Sequence, residues 1–120
     1  MTTGGNPYDG PSMSLGAGTY LLDGYVTVKS ANATAQRVTA YVWNSSSTYY
    51  AAAEQACPSQ GTSTAGYVNI KLAGVAVLTA TTTVKITCES TAANSVIQQN
   101  PGDNSPGGNV GSQLVAVKIA

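Results

Sequence analysis

Residues 18–29 read GTYLLDGYVTVK, a stretch in which apolar and polar side chains alternate with a period of two. One face of this stretch takes the larger apolar residues and one glycine, namely Tyr20, Leu22, Gly24, Val26 and Val28. Successive side chains of a strand point to opposite sides of the sheet, so this alternation predicts a β-strand with one buried face. Gly24 within the pattern predicts either a bulge or a close approach by another backbone.

The same period recurs along the chain and outlines further strands. They are predicted at residues 36–43, 67–72, 75–78, 83–89 and 112–120, with a short strand within 93–99. In the first of these, Val38, Ala40 and Val42 take the core face. Gly74 and residues 79–82 are predicted as turns, and residues 100–109 give the strongest loop signal. Residues 49–57 contain good helix formers and fit a short helix or a strand about equally well.

About seven or eight short strands separated by turns, with almost no helix, predict an all-β fold. The spacing of the turns suits two antiparallel sheets packed face to face, a β-sandwich of jelly-roll type with about eight strands. A length of 120 residues fits a single domain. Residues 1–14 are rich in Gly, Asn and Pro and are predicted as an N-terminal arm, so that the sandwich domain spans residues 15–120.

Charged residues make up only 8% of the chain, and the formal net charge is zero. The basic residues stand singly along the sequence, at Lys29, Arg37, Lys71, Lys85 and Lys118. Binding to nucleic acid requires clustered basic side chains, so we expect no nucleic-acid partner. No run of apolar residues reaches the length of a membrane span, and no membrane association is expected. Weak repulsion between neutral surfaces favours an oligomer or a larger assembly.

The chain contains no histidine, which removes the commonest general base and the usual metal ligand. The acidic residues lie in separate segments, at Asp9, Asp23, Glu54, Glu89 and Asp103, and their spacing does not predict a catalytic pair. Two distant cysteines cannot form a zinc site. We therefore expect a protein that is not an enzyme, with no catalytic residue, cofactor or metal.

The two cysteines are Cys57 and Cys88. Cys88 continues the period-two pattern of Val84 and Ile86 and is predicted to face the core, whereas Cys57 lies in a predicted loop before Pro58. Spacing alone does not determine bond geometry. A bond between the two cysteines, a bond from Cys57 to a neighbouring subunit, and two free thiols therefore all stay open.

Seven Tyr, one Trp and no Phe form an unusual aromatic set. Tyr and Trp join apolar area to a polar tip, which suits interfaces and sugar-binding surfaces. Tyr25, Tyr41 and Trp43 fall on strand faces opposite the predicted core. Three interpretations are open for them: they fill a second packed face, they form a subunit interface, or they form a platform for glycan.

Two segments resemble the opening and closing strands of small viral jelly rolls: residues 15–26, LGAGTYLLDGYV, and residues 113–119, QLVAVKI. Such domains occur in bacteriophage virion proteins, as capsid decoration proteins, head fibres and tail-fibre tips. They are similar in topology to the trimeric heads of tumour necrosis factor and complement-type proteins. The resemblance covers residues 15–120, and it implies a homotrimer on a virus particle with no catalytic residue.

Within that resemblance, the short segment between Met1 and the predicted domain favours a capsid decoration protein that stabilises the phage head. Its partner would be the major capsid protein or another virion protein, and it would be made in the host cytoplasm and located on the particle surface. The arm would supply docking residues, with Asn6, Pro7, Tyr8 and Asp9 as candidates. The alternative is a receptor-binding or viral attachment module, such as a tail-fibre tip, that recognises a host surface glycan or protein.

Overall fold

Strands account for most of the computed structural model, which describes residues 7–30, 35–57, 66–91, 95–97 and 112–120. Numbered in chain order, they are β1 (Tyr8–Leu15), β2 (Gly18–Ser30), β3 (Gln36–Trp43), β4 (Tyr49–Cys57), β5 (Gly66–Leu78), β6 (Thr82–Ser90), β7 (Ser95–Ile97) and β8 (Ser112–Lys118). The described residues contain no helix, and so none that could cross a membrane. The predicted all-β class is confirmed, whereas the predicted loop at residues 100–109 lies outside the described ranges.

The strands form two antiparallel sheets, as in a β-sandwich. Sheet I has the strand order β1-β6-β3-β4. In sheet II, β2 pairs with β5 along one side, while β7 and β8 pair with different parts of its other side. Every one of these pairings is antiparallel. The two predicted sheets are therefore present, and the jelly-roll arrangement of their strands stays a prediction.

The core consists of the alternate side chains that the sequence pattern predicts. Tyr20, Leu22, Val26 and Val28 are all buried on β2, and β3 buries Val38, Ala40 and Val42. Strand β6, the neighbour of β3 in sheet I, contributes fully buried Val84, Ile86 and Cys88. Burial of these side chains between the sheets is the main favourable term that holds the fold together.

Gly24 lies close to the backbone of β8, as the predicted alternative of a close backbone approach has it, and also close to a side chain of the other sheet. The pairing of β2 with β5 and β8 runs through Gly24 without a shift, so no bulge is present there. A Cβ atom at this position would lie 3.1 Å from Cδ1 of Ile86 in the other sheet and 3.1 Å from the carbonyl oxygen of Gln113. The absence of a side chain therefore leaves room for Ile86 in the core.

The predicted turn at Gly74 is wrong, because β5 continues through it from Gly66 to Leu78. A Cβ atom at Gly74 would overlap the backbone carbonyl of Tyr50 and lie 3.2 Å from Cβ of Ala51, both in β4. Gly74 is therefore the point at which edge strands of the two sheets come into backbone contact. Glycine occurs both in turns and at such contacts, which is why its presence alone misled the prediction.

Residues 49–57 form a strand and not a helix. Strand β4 pairs with β3 from Trp43 opposite Tyr49 to Gln36 opposite Cys57, with one irregularity in register between Val42 and Trp43. Helix propensity over so few residues is a weak preference, and pairing with a neighbouring strand outweighs it.

The N-terminal arm predicted over residues 1–14 is a strand from Tyr8 onward, since β1 pairs with β6 at the edge of sheet I. Met13 and Leu15 pack against the core, and Ser12 and Ser14, which alternate with them, are exposed. The pairing is irregular between Asp9 and Ser12, the segment that contains Pro11. Proline lacks the N–H that a regular ladder requires, so an edge strand with an irregular register accommodates it.

We expect Gly74→Ala to destabilise the protein by about 1–3 kcal/mol, because the added methyl group meets the Tyr50 backbone, which cannot move away as a side chain can. Urea unfolding followed by circular dichroism measures the change. Gly16→Ala is the matched control, because a Cβ atom at Gly16 would meet nothing within 4 Å. Equal unfolding midpoints for the two variants would contradict the close approach of β4 and β5.

Candidate functional site

The sequence-predicted aromatic residues separate onto two surfaces. Tyr41 and Trp43 lie on the outer face of sheet I, where their strand pairs with β6 at Thr87 and Lys85. Tyr25 alternates with the core residues of β2 and so lies on the outer face of sheet II. The structure therefore brings Tyr41 and Trp43 together and leaves Tyr25 on the opposite side of the molecule.

Tyr41, Trp43 and Tyr49 form one aromatic cluster on the outer face of sheet I. The rings of Trp43 and Tyr49 stack, with centroids 5.4 Å apart and planes at 13°. Tyr41 meets both of them edge to face, at 5.6 Å from Trp43 and 5.2 Å from Tyr49. Such stacked and edge-to-face pairs are the favoured arrangements of aromatic rings. Tyr41 is only 7% exposed, whereas Tyr49 is 59% exposed, so Tyr49 is the member most open to a partner.

The loop after Trp43 sets the position of Tyr49. The side-chain oxygen Oδ1 of Asn44 accepts hydrogen bonds from the backbone N–H groups of Ser46, Ser47 and Thr48, each at 3.0 Å. Ser45 takes up a left-handed conformation, with φ of 69°. Asn side chains commonly hold turns in this way, by replacing backbone acceptors. The chain therefore reverses tightly and returns at Tyr49, directly opposite Trp43.

A chain of polar contacts links the aromatic cluster to strand β1. The indole Nε1 of Trp43 donates to Oγ1 of Thr87 at 2.7 Å, and the Thr87 hydroxyl donates to Oδ1 of Asp9 at 2.9 Å. The other Asp9 oxygen accepts from Nζ of Lys85 at 2.5 Å. Nζ of Lys85 also lies 5.8 Å from the centroid of the Trp43 ring, within range of a cation–π contact. Trp43 is therefore held by contacts at its N–H and at its ring face.

The charges of this network affect the pKa of Asp9. Partial burial raises the pKa of the carboxyl, but hydrogen bonds from Lys85 and Thr87 and the positive charge of Lys85 together lower it below the ordinary value of 3.8. Asp9 is therefore a carboxylate at neutral pH, which keeps its contact with Lys85 charge-assisted.

Tyr41 makes the second polar contact of the cluster. Its hydroxyl donates to Oε1 of Glu89 at 2.8 Å. Burial raises the pKa of the Tyr41 phenol above its ordinary value of 10.0, and the hydrogen bond to Glu89 raises the pKa further. A phenol in this position stays protonated and serves as a fixed donor to the carboxylate.

Hydrogen bonds thus join Trp43 to Thr87, both Thr87 and Lys85 to Asp9, and Tyr41 to Glu89. No buried side-chain oxygen or nitrogen lacks a partner in the part of the chain that the structure describes. The same part holds no group of three or more His, Cys, Asp or Glu residues that could hold a metal ion. We name the set Asp9, Tyr41, Trp43, Tyr49, Lys85, Thr87 and Glu89 the sheet I cluster, a preformed surface of aromatic area with polar tips.

The remaining predicted docking residues have different outcomes. Pro7 is exposed before β1, and Tyr8 begins that strand opposite Cys88 of β6. Asn6 lies outside the described residues.

The sequence prediction missed Tyr49, Lys85, Thr87 and Glu89. The alternation along β6 predicts that Lys85, Thr87 and Glu89 share its outer face. The sequence of β6 alone does not predict that β3 is its neighbour in the sheet.

The predicted disulfide alternative between Cys57 and Cys88 is wrong, and both residues are buried free thiols. Cys57 is in β4 and Cys88 in β6, with β3 between these strands. Two strand spacings place the backbones about 10 Å apart. The cysteines are also offset along β3, because Cys57 lies opposite Gln36 and Cys88 opposite Ala40. A disulfide requires Cα atoms within about 7 Å, so the sheet prevents this bond.

Comparison with known proteins gives no match: no family model, no curated protein and no solved structure is significantly similar to the chain. The function must therefore be inferred from the residues of the chain itself. The resemblance to phage jelly rolls stays an expectation.

We predict that Tyr41→Phe reduces the loss of stability at alkaline pH. The phenol ionises near pH 10 in the unfolded chain, whereas it keeps its proton in the folded protein. Ionisation therefore stabilises only the unfolded chain, and the free energy of unfolding falls as the pH rises above 10. Between pH 9 and pH 11 the free energy of unfolding of the wild type should fall by about 1 kcal/mol more than that of the variant. Urea unfolding at the two pH values measures this, and equal losses would contradict the shielded Tyr41–Glu89 contact.

We expect both thiols to resist a thiol reagent such as DTNB in the folded protein and to react without prior reduction in urea. Cys57 is 1% exposed and Cys88 0% exposed, and burial raises the pKa of the Cys88 thiol to about 12. Such a thiol forms little of the reactive thiolate. If the thiols react in urea only after a reductant has been added, the two cysteines are bonded and the assigned sheet order is incorrect.

Proposed function

We propose that the chain is a structural protein of a virion surface, a homotrimeric capsid decoration protein with jelly-roll topology that stabilises a phage head. In this proposal the sheet I cluster is the surface that docks on the major capsid protein. The observation that carries the proposal is the preformed aromatic cluster, in which hydrogen bonds already hold Tyr41 and Trp43 and stacking holds Tyr49. Such a surface is suited to contact and not to turnover.

The composition of the cluster supports docking. Tyr and Trp are enriched in the buried centres of protein interfaces, where a few residues supply most of the binding energy. Tyr49 is exposed, and its ring is already stacked on Trp43. Because these rings are ordered before a partner arrives, little side-chain entropy is lost on binding.

The position of Asp9 supports a role for strand β1 in the same contact. Asp9 belongs to the segment for which docking was predicted, and it receives hydrogen bonds from Lys85 and Thr87 within the cluster. A capsid subunit that covers Tyr49 and Trp43 would therefore also meet the start of β1. Binding only to the assembled capsid would stabilise that state by mass action.

One observation favours the alternative, a receptor-binding module of a tail-fibre tip that recognises host glycan. The exposed Tyr49 ring lies parallel to Trp43, and the Lys85–Asp9 ion pair is next to that stack. The flat apolar face of a sugar ring could stack on Tyr49 while its hydroxyl groups meet the charged pair. Copy number separates the two functions, since decoration requires many copies per particle and attachment requires few.

We predict that Tyr49→Ala lowers the occupancy of the chain on purified phage particles and reduces their resistance to heat. Loss of an exposed aromatic anchor should weaken docking by about tenfold or more. A quantitative gel of particles decorated with limiting protein gives the occupancy. Arg37→Ala is the matched control, because Arg37 lies on the same sheet face but is 62% exposed in an ion pair with Glu54 that contributes little.

Full occupancy by the Tyr49→Ala variant would contradict docking through the cluster. A few copies per particle, together with loss of adsorption to the host and unchanged heat resistance, would favour the attachment function. Absence of the chain from purified particles would contradict both functions.

A further inference from the structure

We propose that the outer face of sheet II is an interface between copies of this chain. Seven large hydrophobic side chains are exposed among the described residues, and all except Tyr49 lie on this face. We name these six the sheet II apolar face: Leu21 (47% exposed), Val75 (51%), Val77 (70%), Val115 (42%), Val117 (55%) and Ile119 (54%). Single exposed apolar residues are ordinary on a surface, but contiguous sets of this kind mark interaction sites.

Strand register makes the six residues neighbours. Leu21 of β2 lies opposite Val75 of β5 on one side and Val117 of β8 on the other. Val77 pairs with Thr19, two residues before Leu21, and Val115 pairs with Asp23, two residues after it. Ile119 follows Val117 on the same face. The backbone N–H of Ile119 donates to the carbonyl oxygen of Thr19 at 2.9 Å, which holds this end of the chain against β2.

The strands at this end of sheet II are apolar on both faces. Leu21 and Leu22 are consecutive in β2, residues 75–78 read VAVL in β5, and residues 114–117 read LVAV in β8. A strand with one face in water normally alternates, whereas continuous apolar runs are typical of strands buried on both sides. The core occupies one side of these three runs. The sequences of β2, β5 and β8 therefore predict that their outer face is also covered by protein.

The outer face of sheet II is large enough for a stable contact. Strands β2 and β5 contain 13 residues each. At the usual rise per residue and strand spacing, a three-stranded face of this length measures roughly 43 by 14 Å. Its flat area is about 600 Å², and the accessible area is larger because side chains project from the face. A standard interface buries about 800 Å² on each partner. The apolar face would form one end of such a contact, and Tyr25, Lys71 and Gln113 form the polar row beside it toward the middle of the sheet.

Charge favours a second copy as the occupant. The margin of the apolar face carries Asp23 and Lys71, whose Oδ1 and Nζ atoms lie 3.5 Å apart, so one charge of each sign is present. A neighbouring copy could therefore meet each charge with its opposite. The chain has no net charge, and no long-range repulsion opposes its self-association. The face is also a regular three-stranded sheet, and sheets pack well on one another face to face.

The oligomeric state of the full chain tests this interface. Light scattering coupled to size-exclusion chromatography should give the wild type a molar mass that corresponds to more than one copy of the chain. Val77→Asp places a carboxylate at the most exposed apolar position and should raise the dissociation constant by about tenfold or more. Ser14→Asp adds the same charge to an exposed strand residue on sheet I and should leave the mass unchanged.

Circular dichroism establishes that each variant keeps its strands. If Val77→Asp does not fold, Val77→Thr takes its place, because Thr matches the shape and strand preference of Val while adding a hydroxyl group. A wild type that runs as a single copy at every concentration would overturn the interface. A folded Val77 variant that assembles as tightly as the wild type would also overturn it. A mass of two copies that Val77→Asp reduces to one would support the interface and contradict the trimer of the proposed function.

Discussion

The burial of every second side chain between two sheets is the constraint on which the rest of this structure depends. A strand has only two faces, and the core occupies one of them on each sheet. Gly24 and Gly74 let the sheets and their edge strands approach closely enough for that core to fill. Any contact with a partner must therefore use the outer faces, the edges or the loops.

The two outer faces differ in chemistry, and the difference suggests two kinds of contact. The face of sheet I carries rings, carboxylates and a lysine that are joined by hydrogen bonds. The face of sheet II carries aliphatic side chains with one ion pair at the margin. Aliphatic surface is suited to a lasting interface between identical subunits, and a polar aromatic surface is suited to recognition of a different partner. An assembly of subunits that is joined through sheet II and presents its sheet I clusters outward would use both.

Local geometry explains which features the sequence could predict. The burial of Val26 and Val38 follows from alternation alone, because the direction of a side chain depends only on its position along its own strand. The neighbours of Trp43 do not follow in this way, since Lys85 and Tyr49 reach it through strand pairing. The turn at Gly74 and the arm from Tyr8 to Ser14 were wrongly predicted for a related reason. Glycine and proline occur in turns and also at special positions within strands. Which of the two applies depends on the neighbouring strand, which the local sequence does not reveal.

The most direct test of this account is a density map, at side-chain detail, of the chain in an assembled phage particle. The account predicts that Leu21, Val77 and Val117 are enclosed between copies of the chain, and that Tyr49 rests on a protein of the capsid. A map in which both outer faces are open to solvent, with the chain held only by its loops, would contradict it.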